Sequence, residues 1–174
     1  MPAEYHPTAI TRSEASAPVR HLWDHAHRLL ATGRILDYGC GRGTDADALG
    51  ATAYDPWHPD AAVRRPPTGQ FDVVLLTYVL NVLPPRPRVV ALVSAAVLVR
   101  PGGILAVTVR PEADVTPDWP RHADGWQKDA DHFQRGYNDA SLRRELTAAL
   151  GDAFTEVSIP AMANAVLIML RRKK

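Results

Sequence analysis

The chain has 174 residues, enough for one domain with one core, and its formal net charge of +1 gives no particular reason to expect a polyanionic partner such as nucleic acid. Its one cysteine, Cys40, excludes an intramolecular disulfide and a Cys-based metal framework, so no metal is expected. No apolar run nears membrane-spanning length and no charged-then-apolar leader opens the chain, which points to a cytoplasmic domain without membrane contact.

Residues 1–15 are polar and broken by Pro2 and Pro7. From Ser16 onward Val19, Leu22, Trp23, Ala26, Leu29 and Leu30 recur at three and four, which predicts a helix with Pro18 in its first turn and Gly33 at its close. Residues 34–38 read as a strand, Thr44 as the cap of a short helix to Leu49, and residues 51–54 as a second strand ending at Asp55. Pro56, Pro59, Pro66 and Pro67 exclude a full helix before Phe71 and leave at most a short extended piece at 61–63.

Residues 71–76 carry the strongest strand pattern, apolar enough to be buried on both faces. A helix follows with Pro87 in its first turn, through Val89, Val90, Leu92, Val93, Ala96 and Val97; Arg100-Pro101-Gly102-Gly103 ends it and leads into a strand at 104–109. Residues 110–137 are polar, contain Trp119 and Trp126, and lack periodicity, so they read as a long substrate-side loop. Asn138 or Asp139 caps a helix through Leu142, Leu146 and Leu150, ended by Gly151, and strands at 154–159 and 165–170 form a closing hairpin. This alternation predicts a single Rossmann-like α/β domain over residues 1–174. Its sheet is mostly parallel, with a C-terminal antiparallel hairpin and a shortened segment after the second strand. Ligands of such sheets bind beyond the carboxyl ends of the strands, where the glycine turn, Asp55, Thr77, Tyr78 and Arg110 fall.

The glycine turn is the most informative of these. A dinucleotide loop has the spacing G-x-G-x-x-G, so that a pyrophosphate meets backbone N–H groups. Here the glycines are Gly39, Gly41 and Gly43, the third one position early, and Asp37 stands two residues before the first. An acid aimed at the loop repels a pyrophosphate and suits a cofactor bearing an ammonium group. Asp55, ending the next strand, can accept hydrogen bonds from both hydroxyls of a ribose, although an Asp-Pro turn is the simpler reading of that residue taken alone.

The spacing Asp37-x-Gly39-x-Gly41-x-Gly43 resembles the first motif of class I S-adenosylmethionine-dependent methyltransferases. Residues 71–84 look like that superfamily's fourth strand and following segment, and Pro101-Gly102-Gly103 matches its turn before the fifth. Segments that include Thr8–Arg12, Ser16-Ala17-Pro18, Tyr54-Asp55-Pro56, Tyr78–Val82 and Gly125-Trp126-Gln127 are similar to short methyltransferases named for their association with DNA phosphorothioation. The resemblance implies S-adenosylmethionine as cofactor, with Asp37, Gly39, Gly41 and Gly43 at its methionine end, Asp55 on its ribose, and Thr77 and Tyr78 beside the methyl group. It also implies Tyr78, Asn81 and Arg110 near the reacting centre, and Arg12, Ser16, Trp126 and Gln127 on the acceptor side, covered by the N-terminal residues 1–33 and the 110–137 loop.

His122, Asp124, Asp131 and His132 are the available general bases in that loop. For Arg110, a salt bridge to the cofactor carboxylate or to Asp72 is an equal alternative. His21 and His25 have metal-compatible spacing and no obvious third ligand, so a solvated or capping role is expected. The chain therefore reads as a methyltransferase of a small-molecule acceptor. The alternatives are a nucleic-acid methyltransferase working with a recognition partner and a non-catalytic S-adenosylmethionine-binding accessory protein; a nicotinamide enzyme ranks last on the glycine spacing.

Overall fold

The apolar run after Phe71 becomes the central strand of the molecule and is buried from both sides. Its residues alternate between two cores: Val73 and Leu75 face one cluster, Val74 and Leu76 the other. A computed structural model describes residues 4–31, 33–115 and 118–174. In chain order its elements are α1 (Ala17–Leu30), β1 (Ile35–Tyr38), α2 (Thr44–Leu49), β2 (Thr52–Tyr54), α3 (Ala61–Arg64), β3 (Phe71–Thr77), α4 (Pro85–Val97) and β4 (Val99–Val109). Then come β5 (Arg121–His122), β6 (Gly125–Asp129), β7 (His132–Gln134), α5 (Asp139–Leu150), β8 (Phe154–Val157) and β9 (Val166–Arg172).

The main sheet has the order β2-β1-β3-β4-β9-β8, with the first four strands parallel and the last two antiparallel. It is the expected mostly parallel Rossmann-like sheet with a C-terminal hairpin. Leu22 and Leu30 of α1 pack on one face with Ile104 and Met169; Leu92 of α4 and Leu142 of α5 pack on the other with Leu105 and Val107. Trp23 and Leu29, expected on the inner face of α1, are 47% and 37% exposed; the non-helical residue Ala26 turns the last turn, with Leu29, away from the regular stripe.

Four local expectations are corrected. Gly43, not Thr44, is the N-cap of α2, and the Thr44 hydroxyl donates instead toward the Arg12 carbonyl at 3.5 Å. Residues 61–63 are not extended but belong to the single helical turn α3, because the Asp60 carboxylate accepts from Ala62 N–H at 2.8 Å and the prolines lie outside it. The Pro-Gly-Gly turn does not precede β4 but lies within it: Phe71 pairs with Val99 and Val73 with Ile104, so the extra residues form a bulge. Gly103 is required there, since a Cβ would lie 2.9 Å from the carbonyl oxygens of both Arg100 and Asp72.

The fourth correction is the largest. The 110–137 segment is not an irregular loop but holds a three-stranded antiparallel meander, β5-β6-β7. Its attachment is ionic. Arg88, only 1% exposed on α4, grips Asp124 through two 2.8 Å hydrogen bonds and reaches both Glu145 oxygens of α5 at 3.3 Å. Arg135 bonds Asp124 and, at 2.8 Å, Glu145, which also accepts from the Tyr137 hydroxyl. Arg88 holds the Asp124 carboxyl below its usual range. Two guanidiniums and two carboxylates balance, so burial leaves no uncompensated charge.

Removing one member of such a set strands the others. Arg88→Ala is expected to lower unfolding stability by about 3–5 kcal/mol in urea denaturation, whereas Arg143→Ala, which breaks an exposed pair with Glu156, costs under about 1 kcal/mol.

Candidate active site

The carboxyl ends of β1, β2, β3 and β4 open into a cavity of about 690 Å³. The turn after β1 forms its inner wall. Gly39, Gly41 and Gly43 all have positive φ, at 81°, 56° and 83°. At Gly39 a side chain is excluded twice over, because its Cβ would also sit 2.5 Å from a Val79 methyl.

Three consecutive backbone donors of this turn are already paired. Gly39 and Cys40 N–H both donate to the Tyr54 carbonyl, at 2.7 and 3.1 Å, and Gly41 N–H donates to Asp55 Oδ2 at 2.9 Å. A pyrophosphate would need those donors free. The arrangement therefore agrees with the early third glycine in arguing against a dinucleotide. Asp55 Oδ1 accepts from Trp57 N–H at 2.8 Å, so this one carboxylate braces both the glycine turn and the segment after β2 while keeping lone pairs for a ligand.

Asp37 is 2% exposed, and its Oδ2 has no hydrogen-bond partner among the described residues. Burial raises its pKa to about 7, reinforced by Asp45 and Asp55 and opposed by Arg12. A desolvated, under-coordinated carboxylate in a cavity wall is a receptor for a cation. Cys40, beside it, is pushed up to about 12, chiefly by burial and further by Asp37 and Asp55, which makes it a small wall residue and a poor nucleophile.

Tyr78 follows β3 with φ 60°, a left-handed conformation that costs a non-glycine residue roughly 1–2 kcal/mol. Its N–H still donates to Thr108 O at 2.8 Å, so the strain arises as the chain leaves the sheet at the cavity. The guanidiniums of Arg12 and Arg110 lie 5.9 and 5.6 Å from its ring centroid. Arg110 cannot pair with Asp72, which sits at the opposite, amino end of β3 and bonds Arg100 and the Arg34 N–H instead. Thr77 Oγ1 and Asn81 Oδ1 are buried without hydrogen-bond partners among the described residues, and both residues line the cavity.

Of the expected acceptor-side residues, Arg12 lines the cavity and three do not. Ser16 is buried at the start of α1, where its N–H donates to Asp45 Oδ1 at 2.6 Å. Trp126 packs against Arg121, 4.5 Å from its ring centre, and the Gln127 amide donates to Asp129 O. The meander instead sends His132 and Gln134 to the cavity, with Trp119 of the preceding segment. His132 Nδ1 is 2.7 Å from Asp129 Oδ1. His122 and Asp131 are exposed and absent from the wall, and Asp124 is bound to Arg88.

His6, Trp57, Pro87, Val90 and Ala91 complete wall positions that sequence reasoning missed. Val90, expected among the apolar positions of α4 with Leu92, instead lies on the opposite face and is 65% exposed. Residues 5–12 strap the mouth, with Tyr5 under Arg42 at 4.4 Å and against His58 at 5.0 Å, His6 edge-on to Trp57 at 5.2 Å, and Ala9 beside Gly41. His21 and His25, 4.4 Å apart on α1, lie outside this wall, and among the described residues no third His, Cys, Asp or Glu joins them.

A family model described as a methyltransferase domain matches residues 12–149. The chain belongs to the methyltransferase domain family. Solved structures share the fold of this domain. One is the Burkholderia thailandensis 1,6-didemethyltoxoflavin-N1-methyltransferase with bound 1,6-didemethyltoxoflavin and S-adenosylhomocysteine, 20% identical over 99% of this chain and 100% of that one, with a TM-score of 0.59. Another is the N-methyltransferase NodS of Bradyrhizobium japonicum in complex with S-adenosylhomocysteine, 16% identical over 93% and 90%, with a TM-score of 0.54. A third, the S-adenosylmethionine-dependent methyltransferase SibL, is 14% identical with a TM-score of 0.57; the match covers 90% of this chain and 55% of that one, so the domain spans about half its length. No curated protein matches the sequence. None of these comparisons carries the narrower kinship with the phosphorothioation-associated proteins. No helix among the described residues is long and apolar enough to cross a membrane.

The Asp37 carboxyl gives a test that needs no ligand. Its folded pKa lies above the unfolded value of 3.8, so its burial costs stability increasingly as pH rises from 3.8 to about 7. Asp37→Asn is therefore expected to gain stability over the native chain across that window and to hold a constant advantage above it, as read by thermal unfolding at a series of pH values.

Proposed function

We propose that this domain transfers the methyl group of S-adenosylmethionine to a small-molecule acceptor, as an enzyme of the EC 2.1.1 class. S-Adenosylmethionine is the cofactor. The carrying observation is Asp37, a buried carboxylate with an oxygen unpartnered among the described residues, in the wall of a large cavity beside a turn of three positive-φ glycines. The residues fit the group: Asp37 suits the ammonium of its methionine end, Asp55 suits its ribose hydroxyls, and the turn admits close approach. Bound there, S-adenosylmethionine supplies an electrophilic methyl on a sulfonium, open to in-line displacement.

The protein's own part is mainly alignment. Asp37 and the Gly39–Gly43 turn hold the donor end, while Thr77, Tyr78 and Asn81 border the reacting centre. The strap and the meander exclude water. For an acceptor that carries a proton, His132 is the base that the meander brings to the cavity, its ring held with Nδ1 at 2.7 Å from Asp129 Oδ1. The small-molecule assignment is supported by a 690 Å³ cavity, within the range of small-ligand sites, and by a chain charge of +1. The toxoflavin enzyme, similar over its full length, holds a small acceptor with S-adenosylhomocysteine. The kinship with phosphorothioation-associated methyltransferases belongs to this proposal and names no acceptor.

Calorimetry with S-adenosylhomocysteine is expected to show one site per chain. Asp55→Ala should weaken it at least about tenfold, since the variant loses both ribose acceptors and the brace on Gly41. No binding to the native protein would overturn the reading. With isotope-labelled methyl donor and cell extract, label is expected among small molecules; label in nucleic acid would overturn the acceptor assignment.

A further inference from the structure

Arg12 and Arg110 stand apart from the other arginines that the fold half-buries or buries. Arg88 and Arg135 are held by Asp124 and Glu145, Arg64 by the His58 and Pro59 carbonyls, and Arg172 by the Val97 and Val99 carbonyls. Arg12 and Arg110 are half-buried and line the cavity, yet neither side chain makes an ion pair or a hydrogen bond to an acceptor among the described residues; each has only the Tyr78 ring. A guanidinium has five donors, and two like charges beside one ring repel each other unless anions join them. The cavity thus holds two unmet demands for an oxyanion.

The proposed cofactor meets one. Its ammonium and carboxylate share a carbon, so the carboxylate must lie close to whatever group holds the ammonium. Asp37 fills that role, and Arg12 is the arginine whose charge reaches Asp37. Arg110 is displaced from it by the sheet itself. Asp37 lies next to the end of β1 and Arg110 follows β4, with β3 between them, a lateral offset of about 10 Å. Tyr78, at the end of that intervening strand, separates the two positions.

We propose that Arg110 is the anion-binding residue of the acceptor subsite, so that the substrate is a small molecule bearing a carboxylate or phosphate group, docked on the far side of Tyr78 from the methionine end. The proposal rests on the methyltransferase reading for its division of labour between the two arginines. The planar fork of Arg110 pairs with either oxyanion through two parallel N–H···O bonds. The apolar wall of Pro87, Val90 and Ala91 borders the same cavity and accommodates a hydrocarbon or ring.

The test titrates benzoate, phenyl phosphate and the uncharged isostere benzamide into protein saturated with S-adenosylhomocysteine. Benzoate or phenyl phosphate is expected to bind at least about tenfold more tightly than benzamide; whichever of the two binds tighter identifies the anion. Arg110→Gln should remove that preference while changing S-adenosylhomocysteine affinity less than about threefold, Arg110→Lys should retain part of it, and Arg12→Gln should weaken S-adenosylhomocysteine instead. Benzamide binding as well as both anions, no binding of either anion, or anion binding unchanged in Arg110→Gln would each overturn the assignment. Failure of the native protein to bind S-adenosylhomocysteine would fall on the methyltransferase reading itself, and is measured first.

Discussion

Everything at the site depends on three consecutive backbone donors being taken. Gly39, Cys40 and Gly41 give their N–H groups to the Tyr54 carbonyl and the Asp55 carboxylate, so the turn after β1 is fastened to the end of β2 and cannot serve as an anion cradle. That fastening sets the polarity of the pocket: its inner wall offers carboxylates, not amides. It also accounts for the residue types. Positive φ is needed to turn three donors to one side, and the approach of Val79 leaves no room for a Cβ at Gly39. The same carboxylate that would meet a ribose is thus already part of the backbone framework.

The short connection between β2 and β3 has to be made good elsewhere. Only the single turn of α3 stands in it, so the cavity takes its remaining walls from the residue 5–12 strap on one side and the β5-β6-β7 meander on the other. The meander is small and could not hold its position through apolar burial alone; Phe133 is its main buried apolar side chain. The Arg88–Asp124–Arg135–Glu145 set supplies the attachment, reaching from α4 through the meander to α5. Directional charge pairs fix orientation more sharply than apolar contact does, and orientation is what a wall bearing His132 and Gln134 requires.

The sheet was legible in the sequence because its strands are short apolar runs bounded by Gly, Pro and Asp, a local signal. The cofactor-side wall was legible for the same reason: Asp37, the glycines and Asp55 occupy strand ends, and a strand end in a parallel sheet has only one place to be. The meander was not, since residues 121–134 carry one fully buried apolar side chain and owe their order to a partner, Arg88, that lies 36 positions before Asp124 in the chain. One clue was overlooked. Arg88 falls in register with Leu92, Ala95 and Ala96 on the inward stripe of α4, and a charged residue on an apolar face announces a buried partner. Trp126 shares the face of Gln134, its partner across β6 and β7, yet stacks on Arg121 outside the wall, so a matching segment does not by itself fix which side chains reach the cavity.

The strap ties two parts of the site together. Ala9 touches the glycine turn and Arg12 lies by Tyr78, so one piece of chain borders both the turn after β1 and the end of β3. What holds it shut is a few ring-edge and cation–ring contacts, each worth about 0.5–1 kcal/mol. Three such contacts sum to about 1.5–3 kcal/mol, so the strap stands open on the order of one part in ten to one in a hundred of the time.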